Sequence, residues 1–280
     1  MARVTPRRRR GRLLLIGGNE DMDERDMRIL PRLVELSGGK RAHILVCAAA
    51  SSDPGPSLKA FREVLLKIGA AKVSVSPMDS RKEADSDDLM EMLAKSTGVL
   101  LIGGDQLRAT TMIAGTRFGE ALKQGYQVGG LLVAGTSAGA AAMSSTMIIR
   151  GIGDTVRRDA VELAPGLGFL RNITVDTHFD RGGRVHRLMT VLAQNPATLG
   201  LGIDEDTAVE ISANRRLTVL GRGVVMVFDG RLTHTNAAEV TGREAIALTD
   251  VRVHVLPERY GLDLRTLTPL LPGTTRASAA

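Results

Sequence analysis

Five short runs rich in Val, Ile and Leu, at 13–16, 42–47, 72–76, 98–102 and 131–134, constrain the fold more than any other feature. They read as continuous apolar strands rather than alternating ones. That pattern is expected where helices cover both faces of a parallel sheet. Amphipathic stretches near 25–36, 57–68, 86–95 and 106–124 separate them. Strand–helix alternation of this kind predicts an α/β three-layer sandwich around a mostly parallel sheet. Beyond residue 164 the pattern shifts. Strands are expected at 172–176, 198–203, 208–211, 217–220 and 224–228, with a helix over 184–194. Their close spacing predicts antiparallel pairing near the C-terminal edge of the sheet.

The net charge of +6 points at first to an acidic partner, but its distribution removes that clue. Arg3, Arg7, Arg8, Arg9, Arg10 and Arg12 hold six positive charges in a stretch without acids. The basic residues that remain equal the 31 acidic ones in number. Residues 1–12 therefore read as a basic, disordered tail, a solvated arm with a nucleic-acid or acidic-polymer tether as the sharper alternative. Residues 13–272 read as a single catalytic domain, and 273–280 as a frayed tail. Two Tyr, five Phe and no Trp argue against a base-stacking nucleic-acid surface. No apolar run approaches the ~18 residues of a membrane span. The lone Cys47 suits a reducing, cytoplasmic setting and reads as a buried core thiol.

The run 131–134 leads directly into Gly135-Thr136-Ser137-Ala138-Gly139, with a small-residue helix expected over 140–148. A buried strand before and a helix after are the context in which Gly-x-Ser-x-Gly means a nucleophile elbow. The serine must hold a strained backbone so that its hydroxyl leaves the carboxyl end of the sheet. The flanking glycines leave room for the turn and for close helix packing. The Ala138 amide and the helix start can then stabilise an oxyanion.

A nucleophilic serine needs a base, and the base an orienter. Of the five histidines, His178 follows the strand at 172–176 at its carboxyl end, where active-site residues of α/β sheets sit. His43 begins a strand, His186 lies in a helix, His234 in a polar loop and His254 in a late strand-like run. The same position test selects Asp204, Glu205 and Asp206 and leaves open which of them orients His178. Double glycines follow two strands, in Gly17-Gly18-Asn19-Glu20-Asp21 and Gly103-Gly104-Asp105-Gln106. Backbone amides there can approach a ligand closely. No dinucleotide, Walker or zinc pattern is present, so no cofactor or metal is expected. Arg181, Arg184 and Arg187 recur at a spacing of three and can present a carboxylate-binding face if the segment is helical.

The ordered set Ile16-Gly-Gly-Asn-Glu-Asp, Ile102-Gly-Gly-Asp-Gln, Gly135-Thr-Ser-Ala-Gly-Ala, Asp176-Thr-His-Phe and Gly202-Ile-Asp-Glu-Asp-Thr-Ala resembles the cyanophycinase family. These are serine exopeptidases related to peptidase E, the aspartyl dipeptidase, and their sheet resembles that of class I glutamine amidotransferases. The resemblance implies Ser137 as nucleophile, His178 as base and Glu205 as orienter. It implies an oxyanion site at Gly104, Asp105 and Ala138, and substrate contacts at Gln106, Asp176, Arg184 and Arg187, with Arg181 as a further candidate that can supply the charge missing at position 182. It further implies a homodimer and, as substrate, cyanophycin or an aspartyl peptide; cyanophycin would release β-aspartyl-arginine. The chain departs from the family pattern at Thr177, Gly182 and His186. Glutamine, arginine and glycine are usual there.

Overall fold

A computed structural model describes residues 10–22, 26–151 and 155–273. In chain order, the first half runs β1 (Leu13–Ile16), α1 (Ile29–Leu36), β2 (His43–Cys47), α2 (Pro54–Ile68), β3 (Lys72–Ser76), α3 (Arg81–Ala84), α4 (Asp87–Ala94), β4 (Gly98–Leu101), α5 (Gln106–Ile113), α6 (Arg117–Val128), β5 (Leu132–Thr136) and α7 (Ala138–Ala141). There follow β6 (Thr146–Gly151), β7 (Val161–Pro165), β8 (Ile173–Thr177), α8 (Arg184–Gln194), β9 (Leu199–Ile203), β10 (Thr207–Ile211), β11 (Arg216–Gly221) and β12 (Val225–Asp229). The described chain closes with β13 (His234–Thr235), β14 (Leu248–Thr249), β15 (Arg252–Leu256), β16 (Gly261–Asp263) and β17 (Thr268–Leu270).

The main sheet has the order β17-β16-β11-β10-β1-β5-β4-β2-β3. The strands from β1 to β3 in that order are parallel, and the four beyond β1 add on antiparallel. Side chains of these strands divide by the two-residue period of a strand. Leu14, Ile16, Ile44, Val46, Leu100 and Ile102 join a core under α1 and α2. Leu13, Leu15, Leu45, Val99, Leu101 and Val133 join the opposite core with residues of α4, α5 and α6. All four side chains of β1 are fully buried, which accounts for its unbroken apolar run.

Local signals explain the element ends. α2 starts at Pro54, where a missing N–H costs nothing, and stops at Gly69 with φ of 113°. The helix expected over 106–124 is two helices. Gly115 turns the chain at φ of 69°, and the Thr116 hydroxyl caps the Gly119 amide of α6 at 3.2 Å.

Three expectations need correction. The helix over 140–148 is one turn only, α7. The β-branched Thr146 and Ile148 instead enter β6 and pair with β7, with Ile149 at a bulge before Arg150. The strands at 198–203 and 224–228 are not edge hairpins of the main sheet. β9 and β12 join β8 and β15 in a second sheet, ordered β15-β12-β9-β8. Its inner face shares the main core through Val175, Leu201 and Val227, and its outer face is covered by Leu188, Val191 and Leu192 of α8. The second sheet thus adds to the α/β sandwich that was expected. Finally, part of the basic tail is built into the fold. Arg10 lies over the Tyr126 ring, the Gly11 amide donates to the Tyr126 carbonyl, and Arg12 pairs with Glu210 at 2.6 Å. Residues 1–9 and 274–280 lie outside the described residues.

Candidate active site

β5 ends at Thr136, and the next residue, Ser137, takes φ of 52° and ψ of −119°. A serine holds this conformation only where its surroundings impose it. The surroundings are close. A Cβ on Gly135 would lie 2.5 Å from Gly139, and one on Gly139 would lie 2.1 Å from the Leu101 carbonyl oxygen. The Ser137 amide donates to the Ile16 carbonyl at 3.0 Å, which ties the turn to β1. Gly103, past β4, reaches the same point: a Cβ there would lie 3.2 Å from the Ser137 Cβ.

The base and acid come from the second sheet. β8 and β9 are parallel and in register, Thr177 opposite Ile203, so their carboxyl ends finish side by side. The Ser137 Oγ lies 2.8 Å from His178 Nε2. The other ring nitrogen, Nδ1, lies 2.7 Å from Glu205 Oε1. The remaining Glu205 oxygen accepts from Asn19 Nδ2 at 3.1 Å and from Arg181 Nη2. Each acid of the 204–206 turn has its own partner. Asp204 accepts the Val224 amide, Glu205 holds the imidazole, and Asp206 pairs with Arg222. Geometry therefore separates three acids that chain position alone could not.

The loop after β1 joins the two sheets. The Gly17 amide donates to the Thr207 carbonyl, and the Gly17 and Gly18 carbonyls accept the His178 and Asp206 amides. Gly18 has φ of 99°, and a Cβ there would lie 2.4 Å from His178 Cε1 and 2.6 Å from Nε2. Gly18→Ala is expected to push the ring away from Ser137 and lower kcat by roughly 10², while the protein still melts cooperatively. Steady-state kinetics beside a thermal melt check this.

The Arg181 guanidinium, then the His178 ring, hold the Glu205 carboxyl down to about 2. A carboxylate depressed in the folded state contributes stability above its unfolded value of 4.5, and loses it as pH falls towards 2. Arg181→Ala removes the largest cause. The ionisation midpoint of Glu205 should then rise towards its ordinary value, as read by a carboxyl-carbon NMR titration.

The implied substrate residues are placed differently from the expectation. Arg181 lies ahead of α8, not on it, so the three arginines do not share a helix face. Arg184 and Arg187 both bind Asp176, which is 1% exposed, with Arg184 Nη1 at 3.1 Å and Arg187 Nε at 2.6 Å. Gln106 Nε2 donates to the Ile148 and Ile149 carbonyls at 2.7 and 2.9 Å. The Asp105 amide cannot serve an oxyanion as it stands, because it donates to the Ala50 carbonyl at 2.8 Å. Its side chain instead caps α5 through the Leu107 and Arg108 amides. With α7 only four residues long, the helix start adds little field at the turn. Asn19 was missed as a partner of the acid. Its signal was an amide residue directly after a double glycine at the end of the strand beside β5.

Cys47 is buried, and burial pushes its thiol up, away from nucleophilic use. Among the described residues no group of His, Cys, Asp and Glu is placed to hold a metal, and no helix is long and apolar enough to cross a membrane.

Comparison with known proteins shows the family. A cyanophycinase of Trichormus variabilis is 36% identical over 269 residues, 95% of this chain and 90% of that protein. One of Synechococcus elongatus is 34% identical, over 92% of this chain and 80% of that protein. A peptidase crystal structure from an acI-B1 Actinobacterium has the same fold, with a TM-score of 0.63 and 21% identity over 80% of this chain and 92% of its own. Residues 13–219 match Peptidase family S51, and the chain belongs to that family.

Proposed function

We propose that this protein is a serine exopeptidase that hydrolyses cyanophycin to β-aspartyl-arginine through an acyl-enzyme on Ser137. The observation that carries the reading is the unbroken chain Ser137–His178–Glu205, with contacts of 2.8 and 2.7 Å. Relatives called cyanophycinase, similar over nearly the whole chain, support the substrate.

His178 takes the Ser137 proton as Oγ attacks a backbone carbonyl of the substrate. The Gly104 and Ala138 amides stabilise the oxyanion. The imidazolium, steadied by Glu205, gives its proton to the leaving amine, and a water activated by His178 releases the acyl group. Arg184, with a side chain 25% exposed, can turn one donor towards a substrate carboxylate. Arg187, at 14%, stays on Asp176 and fixes it. The free Gln106 Oε1 can accept from a guanidinium. The reading takes residues 13–272 as one catalytic unit, acting in the cytoplasm as a homodimer, which light scattering tests.

An aspartyl dipeptidase of the peptidase E type is the second reading, favoured by Gly182 where an arginine is usual. Cyanophycin and Asp-x dipeptides offered side by side separate the two. Release of β-aspartyl-arginine from the polymer supports the first; cleavage of the dipeptides alone supports the second.

A further inference from the structure

Glu20 lies in the loop after β1 with 8% of its surface exposed. Its Oε2 is 2.7 Å from the hydroxyl of Thr136, the residue before Ser137. Its Oε1 is buried and has no hydrogen-bond partner. A buried carboxylate needs several donors or a cation to offset lost hydration. Among the described residues it has one hydroxyl and its own backbone amide. The nearby Arg222 is engaged by Asp21, Asp26 and Asp206. A neutral carboxyl fits this surrounding better: no charge is then buried, and its proton can be given to the Thr136 oxygen across the same 2.7 Å contact.

We propose that Glu20, as an uncharged carboxylic acid, is a positioning residue for the elbow: its proton is donated to the Thr136 hydroxyl and holds the end of β5 in the strained turn that presents Ser137. The inference rests on Ser137 being the nucleophile. Burial pushes the Glu20 carboxyl up, and the Asp206 charge adds to this, while Thr136 and the His178 charge oppose it. Among the described residues, Asp206 is the acid and His178 the base whose charges act on it. Ionisation of Glu20 would put a second anion near the imidazole, in competition with Glu205, and would draw water into the turn. Activity should therefore fall as the solution becomes alkaline enough to remove this proton.

Two variants of the full chain test the proposal. Glu20→Ala should lower kcat about 10²-fold with KM little changed, since a small displacement of the nucleophile has that effect. Glu20→Gln, whose amide can donate to the same hydroxyl, should recover about tenfold of that loss. It should also lack the alkaline decline of the wild type, because it cannot ionise. Infrared difference spectra of wild type against Glu20→Gln at neutral pH should show a protonated-carboxyl stretch, read without any turnover. Absence of that band overturns the proposal whatever the substrate is. An unchanged alkaline limb in Glu20→Gln, or equal losses in both variants, also overturns it. If the wild type cleaves no peptide yet shows the band, the functional reading fails and the neutral Glu20 stands apart from it.

Discussion

Ser137→Ala is expected to lower kcat on cyanophycin by about 10⁴-fold or more, with folding unchanged. In the proposed reaction the hydroxyl forms the acyl-enzyme, and the cysteine thiol is not placed to replace it. Cys47, the one cysteine, is buried in β2 with its thiol pushed up. The substitution removes one oxygen from a side chain that makes no capping hydrogen bond, so the turn should persist. Product analysis of purified protein decides the matter. β-Aspartyl-arginine released at near wild-type rate would sink the assignment. A fluorophosphonate reagent should label the wild type and leave the variant unlabelled.

Glu205→Gln is expected to cost nearly as much, on the order of 10⁴ in kcat. The carboxylate accepts from His178 Nδ1, which leaves Nε2 free to take the serine proton. An amide can donate to Nδ1 instead and favour the wrong tautomer. It also removes the charge that steadies the imidazolium. Arg181, left without its anion, cannot compensate, because its positive charge opposes protonation of His178. Glu205→Asp should retain more activity than Glu205→Gln despite its shorter reach. The opposite order would argue that Glu205 acts through shape rather than charge.

Much of this arrangement was legible in the residues, for reasons that differ by element. β1, β2, β4 and β5 were readable because a strand buried on both faces leaves no polar positions. The elbow was readable because Gly135 and Gly139 meet main-chain or neighbouring atoms that admit no Cβ. β8 (Ile173–Thr177) alternates apolar with polar residues, and β9 (Leu199–Ile203) alternates apolar residues with glycine. Nothing in their residues says which sheet they join, so a second sheet was not foreseen. The role of Glu205 needed either a family pattern or coordinates, since three adjacent acids share the same strand end. The arginines past His178 were visible as charges, but their commitment to Asp176 was not. That commitment depends on α8 starting at Arg184, which places Arg184 and Arg187 one turn apart over a buried aspartate.

The nucleophile stands on one sheet, and the base and its acid on another. The 2.7 Å contact lies within the second sheet, whereas the 2.8 Å contact crosses the junction. A slide of one sheet over the other by half an ångström would break proton transfer at Ser137 while His178 and Glu205 stayed paired. The Gly17-Gly18 loop is the clasp that sets this alignment. Catalysis thus acts as a gauge of how the two sheets are docked, and mild heat should silence the enzyme before either sheet melts.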